Sequence, residues 1–173
     1  MARRREVAVG GFKTSPLARR YVLQALDSGR LSYGPFHRRF ETAFARAHDS
    51  KHAVFLNSGT SALHIALQAL KEKYRWKDGD EVIVPAVTFV ATANIVLHNR
   101  MKPVFADVDP LTYTLHPDRF AEKITKRTRA GIPGHLRGLP ADMNPINAVA
   151  KRCGIRVIED SAETLGGTFD GVQ

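Results

Sequence analysis

The chain of 173 residues has one cysteine, Cys153. A single thiol excludes an internal disulfide framework and suits a reducing cytosol. No apolar run approaches the length of a membrane span. The opening, Met1-Ala2-Arg3-Arg4-Arg5-Glu6, is basic but leads into no signal-peptide core. Internal repeats and low-complexity segments are absent. The seven histidines lack ligand spacing. His48 and His52 are four apart, yet Asp49 and Ser50 place them at a helix-to-strand joint, so no metal site is read there. No G-x-G-x-x-G follows the first strand, which weakens a dinucleotide reading.

What is present is an ordinary globular composition, 43% hydrophobic, long enough for one domain with a sizeable core. The net charge is +9, from 26 basic and 17 acidic residues. That charge alone motivates a nucleic-acid reading. Against it, the basic residues are scattered, from Arg3–Arg5 through Arg19, Arg20, Arg38 and Arg39 to Lys123, Lys126, Arg127 and Arg129. No aromatic residues interleave them as stacking platforms. An anionic small substrate fits the excess equally well.

Periodicity predicts helices over 16–28 and 36–47, the first with Leu17, Tyr21, Leu23 and Leu26 mostly on one face. Ser32-Tyr33-Gly34-Pro35 is turn chemistry between them. Ala53-Val54-Phe55-Leu56 reads as a buried strand and Ala62–Leu70 as a helix. Further strands are predicted over 81–85, 102–108, 130–135 and 155–160. Helices are predicted after Thr88 as cap through Leu97, over 117–124, and over 144–153 up to Gly154. The strand at 130–135 is weak, because two glycines and a proline interrupt it. Strands alternate with helices and are nearly continuous apolar runs, which predicts an α/β fold with a mostly parallel sheet covered on both faces. Residues 1–50 form an N-terminal arm with helices, and 51–173 the sheet domain.

Ligands of such sheets bind at the carboxyl ends of the strands. Five segments there carry chemistry: Ser58–Ser61, Thr88-Phe89, Asp107 with Asp109, His135, and Asp160–Glu163. Asn57-Ser58-Gly59-Thr60-Ser61 joins a strand to a helix. Gly59 lets the backbone come close to a ligand, and the free N–H groups of the first helical turn point at an anion. Ser and Thr are equally ordinary helix caps there. Phe89 is either a ring that stacks on a ligand or a core aromatic. Asp160 is either a ligand carboxylate, a helix cap or half of an ion pair.

These segments resemble, in order, the motifs of the DegT/DnrJ/EryC1/StrS sugar aminotransferases. The likeness rests on Ala53–Leu63, Gly79–Pro85, Thr88–Asn94, Lys102–Asp109 and Val157–Glu163, and runs from about Ser32 to Gln173. It implies the fold-type I scaffold of pyridoxal-phosphate enzymes, a three-layer sandwich around a mostly parallel sheet, here incomplete. It implies that Ser58, Gly59 and Thr60 hold the pyridoxal 5'-phosphate tail and that Phe89 stacks on its ring. Asp160 then faces the ring nitrogen and Glu163 lies near the ring hydroxyl. Asp107 and Asp109 become structural turn residues. Tyr33, Gly34, Pro35 and His135 are the substrate-side candidates, suited to a nucleotide-linked keto-sugar, with glutamate as amino donor and a homodimer as the assembly.

The resemblance also implies a Schiff-base lysine in a segment that would follow Gln173, and no lysine of this chain stands at the matching position. The last two strands of the large domain and the small domain would follow as well. The expectation is therefore the N-terminal part of an aminotransferase that does not turn over alone. The alternatives are a non-catalytic remnant or partner subunit, or the related sugar dehydratase chemistry. An open sheet edge predicts association or aggregation. Gly131, Gly134 and Arg137 replace apolar, apolar and aromatic residues of the family pattern, and each glycine is expected to cost about 1–3 kcal/mol of strand packing.

Overall fold

The computed structural model describes residues 13–30 and 32–171; the basic run Arg3–Arg5 lies outside them. The chain divides into two compact units, Met1–Phe55 and Leu56–Gln173, and each is described by itself.

The first unit holds α1 (Pro16–Asp27) and α2 (Pro35–Ala47). Both begin with proline, whose preset φ and missing N–H suit the first helical position. The Ser15 hydroxyl accepts the Ala18 N–H at 3.0 Å and caps α1. The apolar stripe formed the helix but found no layer inside this unit: Leu17, Leu23 and Leu26 are exposed, and α1 buries no residue. In α2 the Glu41 carboxylate accepts the Phe55 N–H at 3.0 Å and the Tyr33 hydroxyl at 3.0 Å. These bonds, the Phe55 amide foremost, hold Glu41 below the usual carboxylate range. The run Ala53–Leu56, expected as a buried strand, joins no ladder among the described residues, and Val54 is 72% exposed. An apolar run becomes a strand only beside a free sheet edge, and local sequence does not supply one.

The second unit runs α3 (Gly59–Tyr74), β1 (Glu81–Pro85), α4 (Val90–His98), β2 (Lys102–Ala106), α5 (Pro117–Glu122), β3 (Thr128–Gly131), a 3-10 turn (Leu136–Gly138), α6 (Met143–Cys153) and β4 (Arg156–Val157). The four strands are parallel in the order β2-β1-β3-β4. All of β1 is buried. Val82 and Val84 face a core built with Leu63 and Leu67 of α3 and Ile95 and Val96 of α4. Ile83 points the other way, toward Phe120 of α5 and Ile146 and Ala150 of α6. The strand period of two thus produces the three layers, one core per face.

Three local expectations shift. Thr88 does not cap α4; Phe89 occupies the cap position without a side-chain bond, and the Thr88 hydroxyl lies 3.0 Å from that of Thr92. The strand expected at 130–135 is displaced to Thr128–Gly131, and the strand expected at 155–160 shortens to Arg156–Val157. Pro133 has no N–H to continue a ladder. Pairing resumes beyond it through its carbonyl, which accepts the Asp160 N–H at 2.9 Å, and through the His135 N–H, which donates to the Asp160 carbonyl at 3.0 Å. Gly131 also departs from the expected packing loss. A Cβ there would fall 2.4 Å from Cε2 of Phe120, which is fully buried. The ring of Phe120 occupies the space that the missing side chain leaves.

Glu81 ties three strands together where they begin. Its side chain is 4% exposed, and it accepts from Thr125 Oγ1 at 2.5 Å, Arg127 at 3.0 Å and Lys102 at 3.3 Å. The Thr125 hydroxyl, aided by the two cations, holds the carboxyl below its usual range against desolvation. A depressed pKa contributes stability above the unfolded value, and that contribution is lost as pH falls through the folded value. We expect Glu81→Gln to cost about 1–3 kcal/mol at neutral pH. The difference from wild type should shrink below about pH 4, as measured by denaturant melts across pH 3–7.

Candidate functional site

The chain order reverses at β1. From β1 it crosses to β2 on one side, then returns to lay β3 on the other. A reversal of this kind opens a crevice beyond the carboxyl ends of the two strands, because the crossovers leave on opposite faces. A cavity of about 270 Å³ lies there, lined among others by Gly59, Thr60, Phe89, His135, Asp160 and Glu163. Four segments far apart in sequence meet in it: the start of α3, the start of α4, the loop after β3 and the loop after β4.

At one side stands the amino end of α3. The Ser58 hydroxyl accepts the Ser61 N–H at 3.1 Å and the Ser58 carbonyl accepts the Ala62 N–H. Ser58 is therefore committed to capping and does not line the cavity. The N–H groups of Gly59 and Thr60 have no acceptor among the described residues. They are the orphan donors of a helix of 16 residues, at the positive end of its dipole.

Across the cavity stands Asp160, half-buried. Its Oδ2 accepts the hydroxyl of Thr92 at 3.0 Å and its Oδ1 the N–H of Ala162 at 3.3 Å. Thr92 is fully buried, and its own hydroxyl is within 3.0 Å of that of Thr88. The carboxylate is thus held from α4 by Thr92, itself bonded to Thr88, and from its own loop by the Ala162 amide. The four-residue spacing of Thr88 and Thr92 is the signal in the sequence for this support. Phe89 is 65% exposed, so it is not a core aromatic.

His135 is buried with both ring nitrogens engaged. Nδ1 accepts the Ala141 N–H at 3.0 Å, so Nε2 carries the proton and donates to Glu159 at 3.0 Å. A substrate contact through either nitrogen would displace one of these partners. Glu163 Oε2 accepts the Arg137 N–H at 2.7 Å. Arg137 has φ +55°, and its guanidinium stacks on Tyr113 at 4.5 Å. Asp109 Oδ1 accepts the N–H groups of Leu111 and Thr112 at 2.8 and 3.0 Å, which closes a turn. Tyr33, Gly34 and Pro35 lie in the first unit, with Pro35 opening α2. No lysine or arginine lines the cavity among the described residues. Among the described residues there is no cluster of metal-ligating side chains, and no helix is long and apolar enough to cross a membrane.

Orphan amides, an aromatic face and a fixed carboxylate around a small crevice suit a flat ring that carries an anionic tail and a basic ring atom. GDP-perosamine synthase of Caulobacter vibrioides is 45% identical over 154 residues, covering 88% of this chain and 40% of that protein. The structure of an aminotransferase from Psychrobacter cryohalolentis superposes with a TM-score of 0.85 at 38% identity, over 91% of this chain and 39% of that one. GDP-4-keto-6-deoxy-D-mannose-3-dehydratase of E. coli, with bound hydrated PLP, superposes at 0.87 and 30% identity, over 94% and 42%. The chain therefore spans about two fifths of the length of the relatives it matches. The model of the DegT/DnrJ/EryC1/StrS aminotransferase family matches residues 15–173, both units included, and the chain belongs to that family.

Proposed function

We propose that this chain is the coenzyme-binding, N-terminal portion of a pyridoxal-phosphate-dependent aminotransferase acting on a nucleotide-linked keto-sugar. The observation that carries the reading is the shared cavity of Gly59, Thr60, Phe89 and Asp160. The amides of Gly59 and Thr60 would hold the phosphate, Phe89 would cover the ring, and Glu163 would lie near the ring hydroxyl. Asp160, fixed by Thr92 and Ala162, would keep a proton on the ring nitrogen. When bound, the coenzyme supplies an electron sink for carbanion chemistry. Tyr33, Gly34, Pro35 and His135 are assigned to the substrate side, with glutamate as donor and a homodimer as the working assembly. The same cavity also suits the sugar dehydratase chemistry of the E. coli relative.

The chain alone holds the coenzyme weakly and does not turn over. An orphan helix terminus contributes about 0.3–2 kcal/mol, a charged hydrogen bond about 1.5–3 and ring stacking about 0.5–1.5. Summed, at about 2–6.5 kcal/mol, these correspond to a Kd between roughly tens of millimolar and tens of micromolar. No cavity lysine adds to them. Titration with pyridoxamine phosphate, followed by phosphorus NMR, should show saturable binding in that range. Borohydride treatment in the presence of pyridoxal phosphate should trap no single lysine in stoichiometric yield. Absence of saturable binding, or one lysine labelled stoichiometrically, would overturn this reading.

A further inference from the structure

The opposite end of the sheet carries a second site. Where α3 and α6 finish and the strands begin, a cleft of about 460 Å³ is lined by Arg75, Lys77, Lys126, Arg129 and Arg156, with Asp80 as its only carboxylate among the described residues. Asp80 is spent on Arg129, at 2.8 Å. The other four cations have no ion-pair partner among the described residues. Cations at helix carboxyl ends complement the helix dipole, but each end offers only about half a negative charge. Two helix ends and one carboxylate offset about two of the five positive charges. About three remain, facing one concavity.

One of these cations is also held in place. The Arg156 guanidinium lies over the Tyr74 ring at 4.4 Å, and Tyr74 stacks on Trp76 with centroids 5.9 Å apart. Stacking fixes the plane of the guanidinium and leaves its N–H groups free to bind oxygen. Arg75 ends α3 in the left-handed region, at φ +54° and ψ +42°. Glycine is the residue that adopts this conformation without strain. An arginine there accepts a backbone cost and places a cation at the rim.

We infer that this cleft is a binding site for a small polyphosphate anion, such as a nucleoside di- or triphosphate or inorganic tripolyphosphate. Fork-shaped guanidinium groups match phosphate oxygens, and the net charge selects an oligoanion over a monoanion. The limited volume of the cleft, about 460 Å³, suits a small ligand rather than a continuous nucleic-acid track. The site is independent of the coenzyme cavity, so either assignment can fail without the other.

The test uses the whole chain at low ionic strength. Calorimetric titration should rank tripolyphosphate and ADP well above AMP and inorganic phosphate, with affinity falling as salt is added. Lys126→Glu and Arg156→Glu should each weaken tripolyphosphate binding about tenfold or more. Arg20→Glu, an equal change of charge on the exposed face of α1, should leave it nearly unchanged. Arg75→Gly should raise the melting temperature and still weaken binding, a split that a merely structural arginine would not produce. Cys153 is exposed, lines the cleft and is the one cysteine of the chain. Its alkylation by N-ethylmaleimide should slow several-fold when tripolyphosphate is bound. Equal affinity for phosphate and tripolyphosphate, indifference to both charge reversals, or unprotected Cys153 would overturn the proposal. Tighter binding of single-stranded oligonucleotide than of tripolyphosphate would overturn it in favour of nucleic acid.

Discussion

Gly131→Ala is expected to destabilise the second unit by about 1–3 kcal/mol, the ordinary cost of overpacking a core. Gly131→Val should cost more. Glycine is generally the weaker strand residue, so propensity alone predicts the opposite sign. Space decides: the added Cβ would meet Cε2 and Cζ of Phe120 at 2.4 and 2.9 Å, and Phe120 has no exposed surface through which to retreat. The pair should show compensation. Phe120→Ala alone leaves a cavity and should cost about 3–5 kcal/mol, whereas Gly131→Ala added to it should cost little or gain. Urea melts of the four proteins in a double-mutant cycle measure the coupling directly. Additive costs would show that the two positions do not share one volume.

The second large effect concerns binding rather than folding. Asp160→Asn is expected to weaken pyridoxamine phosphate binding by roughly tenfold to a hundredfold, the worth of a hydrogen bond to a charged partner. The fold should stay within about 1 kcal/mol of wild type. Asn can still accept the Ala162 N–H through its oxygen. The Thr92 hydroxyl, released from donating to Oδ2, can turn its proton toward Thr88 and accept from the new amide. What Asn cannot supply is the negative charge opposite the ring nitrogen. The discriminating variant is Thr92→Val, which removes one support of Asp160 while leaving its charge. It should lower affinity by a smaller factor than Asp160→Asn. If Asp160→Asn binds as wild type does, the carboxylate has no role in holding the coenzyme.

Much of this architecture was legible in the chain because it is local. Turn residues at Lys77–Asp80, the apolar run at Glu81–Pro85 and the glycine after Cys153 each act through their neighbours, and β1 and the end of α6 fall where they point. The carboxyl-end rule picks out Phe89, His135 and Asp160 from strand direction alone, whereas Gly59 and Thr60 are marked by the start of α3. What escaped is pairwise and long-range. Ala53–Leu56 has the composition of a strand, but a strand is a property of two chains lying side by side. The fit of Phe120 against Gly131 belongs to neither residue alone. The cations Arg75, Lys126 and Arg156 look scattered as text, with Tyr74 and Trp76 remote from two of them. The ends of α3 and α6 and the loop before β3 bring them to one cleft. Ser58 shows the converse: it has the residue type of a phosphate ligand, and the helix uses its hydroxyl first.

The central strand has a bearing on how the chain folds as it is made. Ile83 pairs with Val104 on one flank and with Gly131 on the other. The flank toward β2 can therefore form once β2 has left the ribosome, but the flank toward β3 must wait until β3 has left it as well. Until residue 131 emerges, a largely apolar ribbon has one row of amides and carbonyls unmatched, which is a template for stray pairing. Pausing synthesis when β2 has emerged and β3 is still inside the ribosome should raise aggregation in the cell, whereas pausing after β3 has emerged should not.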